Sequence, residues 1–252
     1  MLGIDLRGRR ALVTGGSRGV GRATALLLAR AGADVMITYQ SRDADARAVV
    51  EELETLGVRA LAHAGDIADA AVVDAIFARI MDAWGGLDIY VGNAGVWPPE
   101  HVDIADMTDA QWRRTRAVNL DSIFLTTRAA ARVISDDGRI VLVSSTAGQR
   151  GEAGHADYAA TKGAVISLVK SVAVELGPRG ITVNAVAPGW IDTEMVVQPM
   201  TTGRAGYETS IPLRRIASAE DVAGPIVFLC SALARHITGE IVNVNGGSVL
   251  CG

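Results

Sequence analysis

The sequence predicts an α/β fold: one doubly wound parallel sheet with helices on both faces. Three observations lead there. Short apolar runs alternate with helix-length segments along the whole 252-residue chain, and several runs are continuous Val, Ile and Leu. The first run also ends in a glycine-rich turn that opens a helix. Strands buried on both faces carry no polar alternation, and strict strand-helix alternation gives right-handed crossovers within one domain.

The strand candidates are ALVTG from Ala11, DVMITY from Asp34, RALAHA from Arg59, LDIYVG from Leu87, RIVLVSS from Arg139, ITVNAVAP from Ile181 and EIVNVNGG from Glu240. Helices are predicted to begin near Val20, Asp43, Ala68, Asp109, Asp157 and Ala219, which makes seven strands and six helices. From Gly189 to Pro212 the rhythm breaks, with prolines and glycines and no clear period. A connection that long, after the carboxyl end of a parallel strand, is expected to be a lid over a ligand. The expectation is a single domain over 1-252 with a substrate lid at 189-212.

Composition narrows the classes of function. The chain is 49% hydrophobic and 21% charged with a formal net charge of -4, and acids and bases are interspersed. No basic face tracks a phosphate backbone, so nucleic acid is not an expected partner. No apolar run is long enough to span a bilayer, and MLGID at Met1 has neither a basic nor an apolar leader. A cytoplasmic protein is expected, without membrane association. Cys230 and Cys251 are expected to be free thiols, and His63, His101, His155 and His236 fall in no ligand spacing, so no metal site is expected.

The glycine turn reads TGGSRGVG from Thr14, with Gly15, Gly19 and Gly21 between a strand and a helix. Glycine lets backbone N-H groups approach a pyrophosphate, and the helix N-terminus favours its charge. The end of the second strand then discriminates between nicotinamide cofactors. An acidic residue there binds a ribose 2′-hydroxyl, whereas basic residues suit a 2′-phosphate. Here Tyr39 stands where the acid is expected, Ser41 and Arg42 follow, and Arg18 lies in the glycine loop. Two guanidiniums favour NADP, with NAD as the alternative; the competing reading of Arg42 is a solvated charge balancing Asp43 and Asp45.

In the stretch HADYAATKGAVISL, Tyr158 and Lys162 lie four residues apart and share a helix face among small residues. Hydride transfer to a carbonyl leaves charge on oxygen, so a proton donor must stand nearby. A phenol can serve, and a neighbouring ammonium is expected to draw its pKa down. Ser145, at the end of the fifth strand, can hydrogen-bond the substrate oxygen.

The chain resembles the short-chain dehydrogenase/reductase family over its whole length. The matching pieces are TGGSRGVG, GDI at Gly65, GNAG at Gly92, VNL around Asn119, SS at Ser144, YAATK at Tyr158 and PGW at Pro188. The resemblance implies a seven-stranded Rossmann-type sheet, a nicotinamide cofactor, a homotetramer and a catalytic group of Asn119, Ser145, Tyr158 and Lys162. Asn119 would support a water chain from Lys162 to solvent; the competing reading is a residue that caps or kinks its helix. Beyond Tyr158 and Lys162, the cofactor contacts it implies are Gly15, Ser17, Arg18, Gly19, Val20, Tyr39, Ser41, Arg42, Asp66, Ile67, Asn93, Ala94, Gly95, Pro188, Gly189, Ile191 and Thr193. Two departures stand out: Gly92 replaces the first Asn of the usual Asn-Asn-Ala-Gly, and Asn245 replaces an Asp before the C-terminal Gly-Gly.

Substrate contacts are expected from Ser145, Ala147, Tyr158, Trp97 and Trp190. The expected activity is NADP(H)-dependent interconversion of a small or medium carbonyl compound and its alcohol. Two alternatives stand beside it: a 3-oxoacyl-[acyl-carrier-protein] reductase, and a non-catalytic NADP-binding sensor or scaffold. The first needs a basic surface, to which Arg179 could contribute but SDDG at Ser135 is acidic.

Overall fold

The computed structural model describes residues 3-251, leaving aside the side chains of residues 198, 199 and 202. Its seven strands are β1 (Arg10–Val13), β2 (Asp34–Tyr39), β3 (Ala60–Ala64), β4 (Leu87–Gly92), β5 (Ile134–Val143), β6 (Thr182–Pro188) and β7 (Ile241–Val244). They form one sheet in the order β3-β2-β1-β4-β5-β6-β7, and every pairing is parallel. The order reverses between β1 and β4, and in such sheets ligands bind outside the strand carboxyl ends at that switch point.

Alternate side chains of each strand enter different cores, because successive residues of a strand face opposite sides. Val13, Ile37 and Val141 join one core with Leu26, Leu28, Val49, Leu53 and Ile226. These come from α1 (Gly19–Arg30), α2 (Asp43–Thr55) and α9 (Ala219–Leu229). Leu12, Met36 and Leu142 join the other with Ile76, Phe77, Ile80, Ile123, Val165 and Val169. Those helices are α3 (Ala70–Trp84), α5 (Ser122–Val133) and α7 (Ala156–Leu176). Two buried faces explain why the strands read as unbroken aliphatic runs.

Local signals set the helix ends. Asp69 accepts from the Ala71 N-H at 2.9 Å to start α3, and Ser218 with Asp221 forms a reciprocal capping box at α9. The helix expected from Asp109 comprises α4 (Asp109–Arg116), a π-helical turn at Ala117–Asp121 and then α5. β5 begins at Ile134, ahead of the predicted Arg139, because Ile134 pairs with Leu87 before the register shifts at Ile89.

Two elements depart from expectation. Thr146–Arg150 forms a short helix, α6, capped by the Ser145 hydroxyl, which accepts from the Ala147 N-H at 3.1 Å. The stretch after Gly189 contains a helix, α8 (Val197–Ser210), where no period was visible. Gly203 and Gly206 weaken its propensity. Tertiary packing supplies what is missing: Val196, Met200, Ile211 and Ile216 make a small separate core with Trp190 and Tyr207.

Candidate active site

A cavity of about 330 Å³ opens at the carboxyl ends of the strands. Its floor begins where β1 runs into the glycine turn. Gly15 and Gly19 have φ of +66° and +52°, in the left-handed region, and a Cβ at Gly21 would lie 2.2 Å from the Gly15 carbonyl oxygen. Only glycine lets α1 start so close under the turn. Thr14 and Asn93 then tie β1 to the end of β4. The Thr14 hydroxyl accepts from the N-H groups of Asn93 and Ala94 at 3.0 and 3.1 Å, and the Asn93 amide donates to the Thr14 carbonyl at 2.9 Å.

Every residue expected to contact the cofactor lines this one cavity, from the glycine turn through Tyr39, Ser41 and Arg42 to Asp66, Ile67, Gly95 and the segment from Pro188 to Thr193. The Tyr39 hydroxyl donates to Asp43 at 2.6 Å. Arg18 and Arg42 converge: both donate to Oε2 of Glu194, at 2.8 and 2.5 Å. Arg42 also reaches Asp45 at 3.1 Å. The competing reading of Arg42 as a charge balancing Asp43 and Asp45 therefore holds for Asp45 through one nitrogen, whereas Asp43 pairs with Tyr39 and Arg47 and the other Arg42 nitrogen goes to Glu194. Two guanidiniums already meeting on an anionic oxygen are a donor set suited to a 2′-phosphate.

The Tyr-Lys helix is held to the end of β5 by three contacts. The Lys162 ammonium donates to the Val143 carbonyl at 2.8 Å, and the Ser144 hydroxyl donates to the Lys162 carbonyl at 2.9 Å. The third contact is steric: a Cβ at Gly148 would lie 2.5 Å from the Lys162 carbonyl carbon. Glycine at 148 lets α6 lie against the α7 backbone, so Ser145, Tyr158 and Lys162 all face the cavity. At the start of α7, buried Asp157 accepts from Thr115 at 2.6 Å and from the Tyr158 N-H at 2.8 Å, which fixes α7 against α4.

Burial dominates the electrostatics here. It pushes the Tyr158 phenol up to about 12, with the nearby Ser145 hydroxyl pulling down and the Glu152 carboxylate adding to the rise. Lys162, 3% exposed, is drawn down to about 8 by desolvation. Its ammonium lies 5.8 Å from the Tyr158 ring centroid. The expected lowering of the phenol by the ammonium is not what sets its shift: the low-dielectric surroundings disfavour both charged forms, and the Ser145 hydroxyl alone pulls the phenol down.

Asn119 lies in the π-helical turn, fully buried. Its side-chain oxygen accepts from the Val96 N-H at 2.8 Å and its amide donates to the Val96 carbonyl at 2.8 Å. A Cβ at Gly95 would meet Asn119 Oδ1 at 3.1 Å and Lys162 Nζ at 3.4 Å, so both groups look onto the same space. The helix is indeed distorted at Asn119, as the competing reading held, and the distortion presents its amide to the loop beside Lys162.

Of the expected substrate contacts, Ser145, Tyr158, Trp97 and Trp190 line the cavity. Ala147 does not. It is 2% exposed, and its N-H caps back onto the Ser145 hydroxyl in the first turn of α6. Trp97 stacks on His155 at 4.6 Å and meets Trp190 edge-on at 5.8 Å, while Trp190 lies 4.4 Å from Tyr207 of α8. Arg150 and Glu152 add charge to the same wall.

The two departures have local explanations. A Cβ at Gly92 would lie 2.7 Å from Leu142 and 2.8 Å from the Tyr90 hydroxyl, so buried Tyr90, bonded to Thr126 at 2.5 Å, takes the space. Asn245 clamps its own turn, accepting from the Gly247 N-H at 2.9 Å and donating to the Val249 carbonyl at 3.0 Å. The structural roles of Thr14, Ser144, Gly148, Asp157 and Glu194 are not visible in the sequence. The first four act through other residues, and Glu194 sits in a segment without pattern. Among the described residues no cluster of ligating side chains could hold a metal, and no helix is long and apolar enough to cross a membrane.

A family model described as enoyl-(acyl carrier protein) reductase matches residues 15–248. The 3-oxoacyl-[acyl-carrier-protein] reductase FabG of Aquifex aeolicus is 40% identical over 97% of this chain and 98% of its own. The L-rhamnose 1-dehydrogenase (NAD(P)(+)) of a Sphingomonas species is 40% identical over 96% of each. Among solved structures, a short chain dehydrogenase from Burkholderia cenocepacia in complex with NADP superimposes with a TM-score of 0.91 at 40% identity, covering 96% of this chain and 98% of that one. A Serratia marcescens short-chain dehydrogenase/reductase mutant gives 0.92 at 37% identity, with the same coverage.

Proposed function

The chain belongs to the short-chain dehydrogenase/reductase family of oxidoreductases, and on that premise we propose that it is an NADP(H)-dependent enzyme interconverting a small carbonyl compound and its alcohol. The carrying observation is that Ser145, Tyr158 and Lys162 share one cavity with the glycine turn and the Arg18-Arg42 pair. The cofactor, when bound, supplies or accepts the hydride. The glycine turn and the first turn of α1 hold its pyrophosphate, and Arg18 and Arg42 its 2′-phosphate.

Ser145 holds the substrate oxygen toward Tyr158, whose phenol stays protonated at neutral pH and delivers its proton as charge grows on that oxygen. Lys162 is positively charged below its lowered pKa of about 8 and stabilises the phenolate left behind. Asn119 fixes the loop beside Lys162 and carries a solvent path to it. Trp97, Trp190, Arg150 and Glu152 suit a compact polar carbonyl, such as a sugar, cyclic ketone or diketone. Residues 189-212 close over it as a lid of this single domain.

The likeness to acyl-carrier-protein reductases favours a second reading, an acyl thioester substrate. Arg179, which would serve an acidic carrier, is committed to Asp136 at 2.9 Å and to the carbonyls of Ala131 and Ile134. We further propose a cytoplasmic location and a homotetrameric assembly; for the assembly, the exposed apolar side chains Trp112, Phe124 and Val174 on α4, α5 and α7 offer contact surface. A monomeric mass in solution contradicts the assembly.

The activity is tested by following NADPH and NADH absorbance with a panel of sugars, cyclic ketones, diketones and a 3-oxoacyl thioester. Oxidation of NADPH by a small carbonyl supports the proposal, and turnover of the thioester alone supports the second reading. Cofactor binding without turnover on any substrate favours a sensor.

A further inference from the structure

The carboxylate of Glu194 lies where the arginine pair expects a phosphate. Arg18 comes from the glycine turn, Arg42 from the segment after β2, and Glu194 from the turn that leads into α8. Three distant segments therefore meet at one oxygen, with donor distances of 2.8 Å from Arg18 and 2.5 Å from Arg42. We propose that Glu194 is a specificity-determining residue, a built-in competitor for the 2′-phosphate that narrows the enzyme's preference for NADP(H) over NAD(H). The inference rests on the cofactor reading above.

Two guanidiniums directed at one point repel unless an anion stands between them. Asp45 takes one nitrogen of Arg42 at 3.1 Å, which leaves the inward-facing charge to Glu194. A carboxylate brings a single negative charge, whereas a phosphate monoester brings close to two and can engage both forks. All three side chains are half-exposed, so their contact is screened by water and exchangeable.

The consequence differs between the cofactors. With NAD(H), which carries a 2′-hydroxyl, Glu194 stays and keeps both arginines neutralised. With NADP(H) it must be displaced, and part of the phosphate's attraction is spent in that exchange. The neighbouring Thr193 methyl lies 3.5 Å from where a Cβ at Gly19 would stand, so the exchange takes place where the lid crosses the phosphate-binding turn.

The test is equilibrium binding, by calorimetry, of NADPH, NADH and 2′,5′-ADP to the wild type and to Glu194→Gln, which keeps shape and removes charge. The expected result is tighter binding of NADPH and 2′,5′-ADP, with the NADPH-to-NADH affinity ratio rising about fivefold. In an Arg42→Ala background the same substitution should move the ratio by less than about twofold. A ratio unmoved by Glu194→Gln, or a gain undiminished without Arg42, overturns this inference while leaving the cofactor reading intact. A wild type that binds neither dinucleotide overturns both.

Discussion

The Lys162 ammonium stands 5.8 Å from the centre of the Tyr158 ring while donating to the Val143 carbonyl at 2.8 Å. The two side chains rise from one turn of α7 into the same cavity, and burial drives their pKa values apart, the phenol up to about 12 and the ammonium down to about 8. A protonated phenol beside a cation is arranged to give a proton to a nascent alkoxide.

The direction of the pH dependence follows. With the phenol held at about 12, its proton is present throughout the neutral range, and with the ammonium at about 8 the stabilising charge disappears as pH rises through that value. Carbonyl reduction is therefore expected to have a flat kcat/KM below about pH 8 and to decline above it. Alcohol oxidation, which needs the phenolate, should climb with pH, by up to about tenfold per unit. Rate profiles in both directions between neutral and strongly alkaline pH check this, and parallel profiles contradict it.

Cofactor preference should respond to Arg42. Replacing Arg42 by Asp removes one of the two forks and places a like charge beside the phosphate. The ratio of kcat/KM for NADPH to that for NADH is expected to fall about tenfold or more. Steady-state kinetics with both cofactors measure it, and an unchanged ratio counts against a phosphate contact at this position.

Asn119 should matter to stability as well as to rate. Its buried amide makes two hydrogen bonds to the Val96 backbone, and Asn119→Ala leaves both backbone groups without that partner. A loss of about 2 kcal/mol in urea unfolding is expected. Reduced turnover should accompany it, because the loop next to Lys162 is released. Full stability in the variant removes the tethering role.

The Arg10-Asp88 pair is a test of the fold away from the cavity. Desolvation raises the Asp88 pKa, but the side-chain hydrogen bond from Arg10 and its backbone N-H outweigh this and leave the carboxyl below its ordinary value of 3.8. A depressed folded-state pKa stabilises above the unfolded value and is lost as pH falls through the folded one. Acidification below about pH 4 should therefore cost the wild type more stability than it costs Asp88→Ala. At neutral pH the variant should unfold about 3 kcal/mol more easily, because Arg10 loses its partner in a part-buried place.

Much of this was legible in the sequence because it rests on local chemistry. The aliphatic runs of β1, β2 and β6 announce strands covered on both faces, and Gly15, Gly19 and Gly21 announce a turn that nothing larger fits. Tyr158 and Lys162 are visible because four residues make one helical turn. What stayed hidden depends on partners distant in sequence. α8 is held by Trp190 and Ile216 rather than by its own propensity, and Ser144 matters only because Gly148 lets α7 lie against it. The balance of burial against charge at Tyr158 is likewise a property of the packed cavity. No spacing shows that Glu194 meets two arginines from the other end of the domain.

The most direct measurement is Tyr158→Phe, assayed for NADPH binding and for carbonyl reduction on the same preparation. A proton-donating phenol predicts cofactor affinity close to wild type and turnover reduced by about a thousandfold. A variant that binds NADPH and reduces the carbonyl at the wild-type rate would take Tyr158 out of the chemistry and contradict the account.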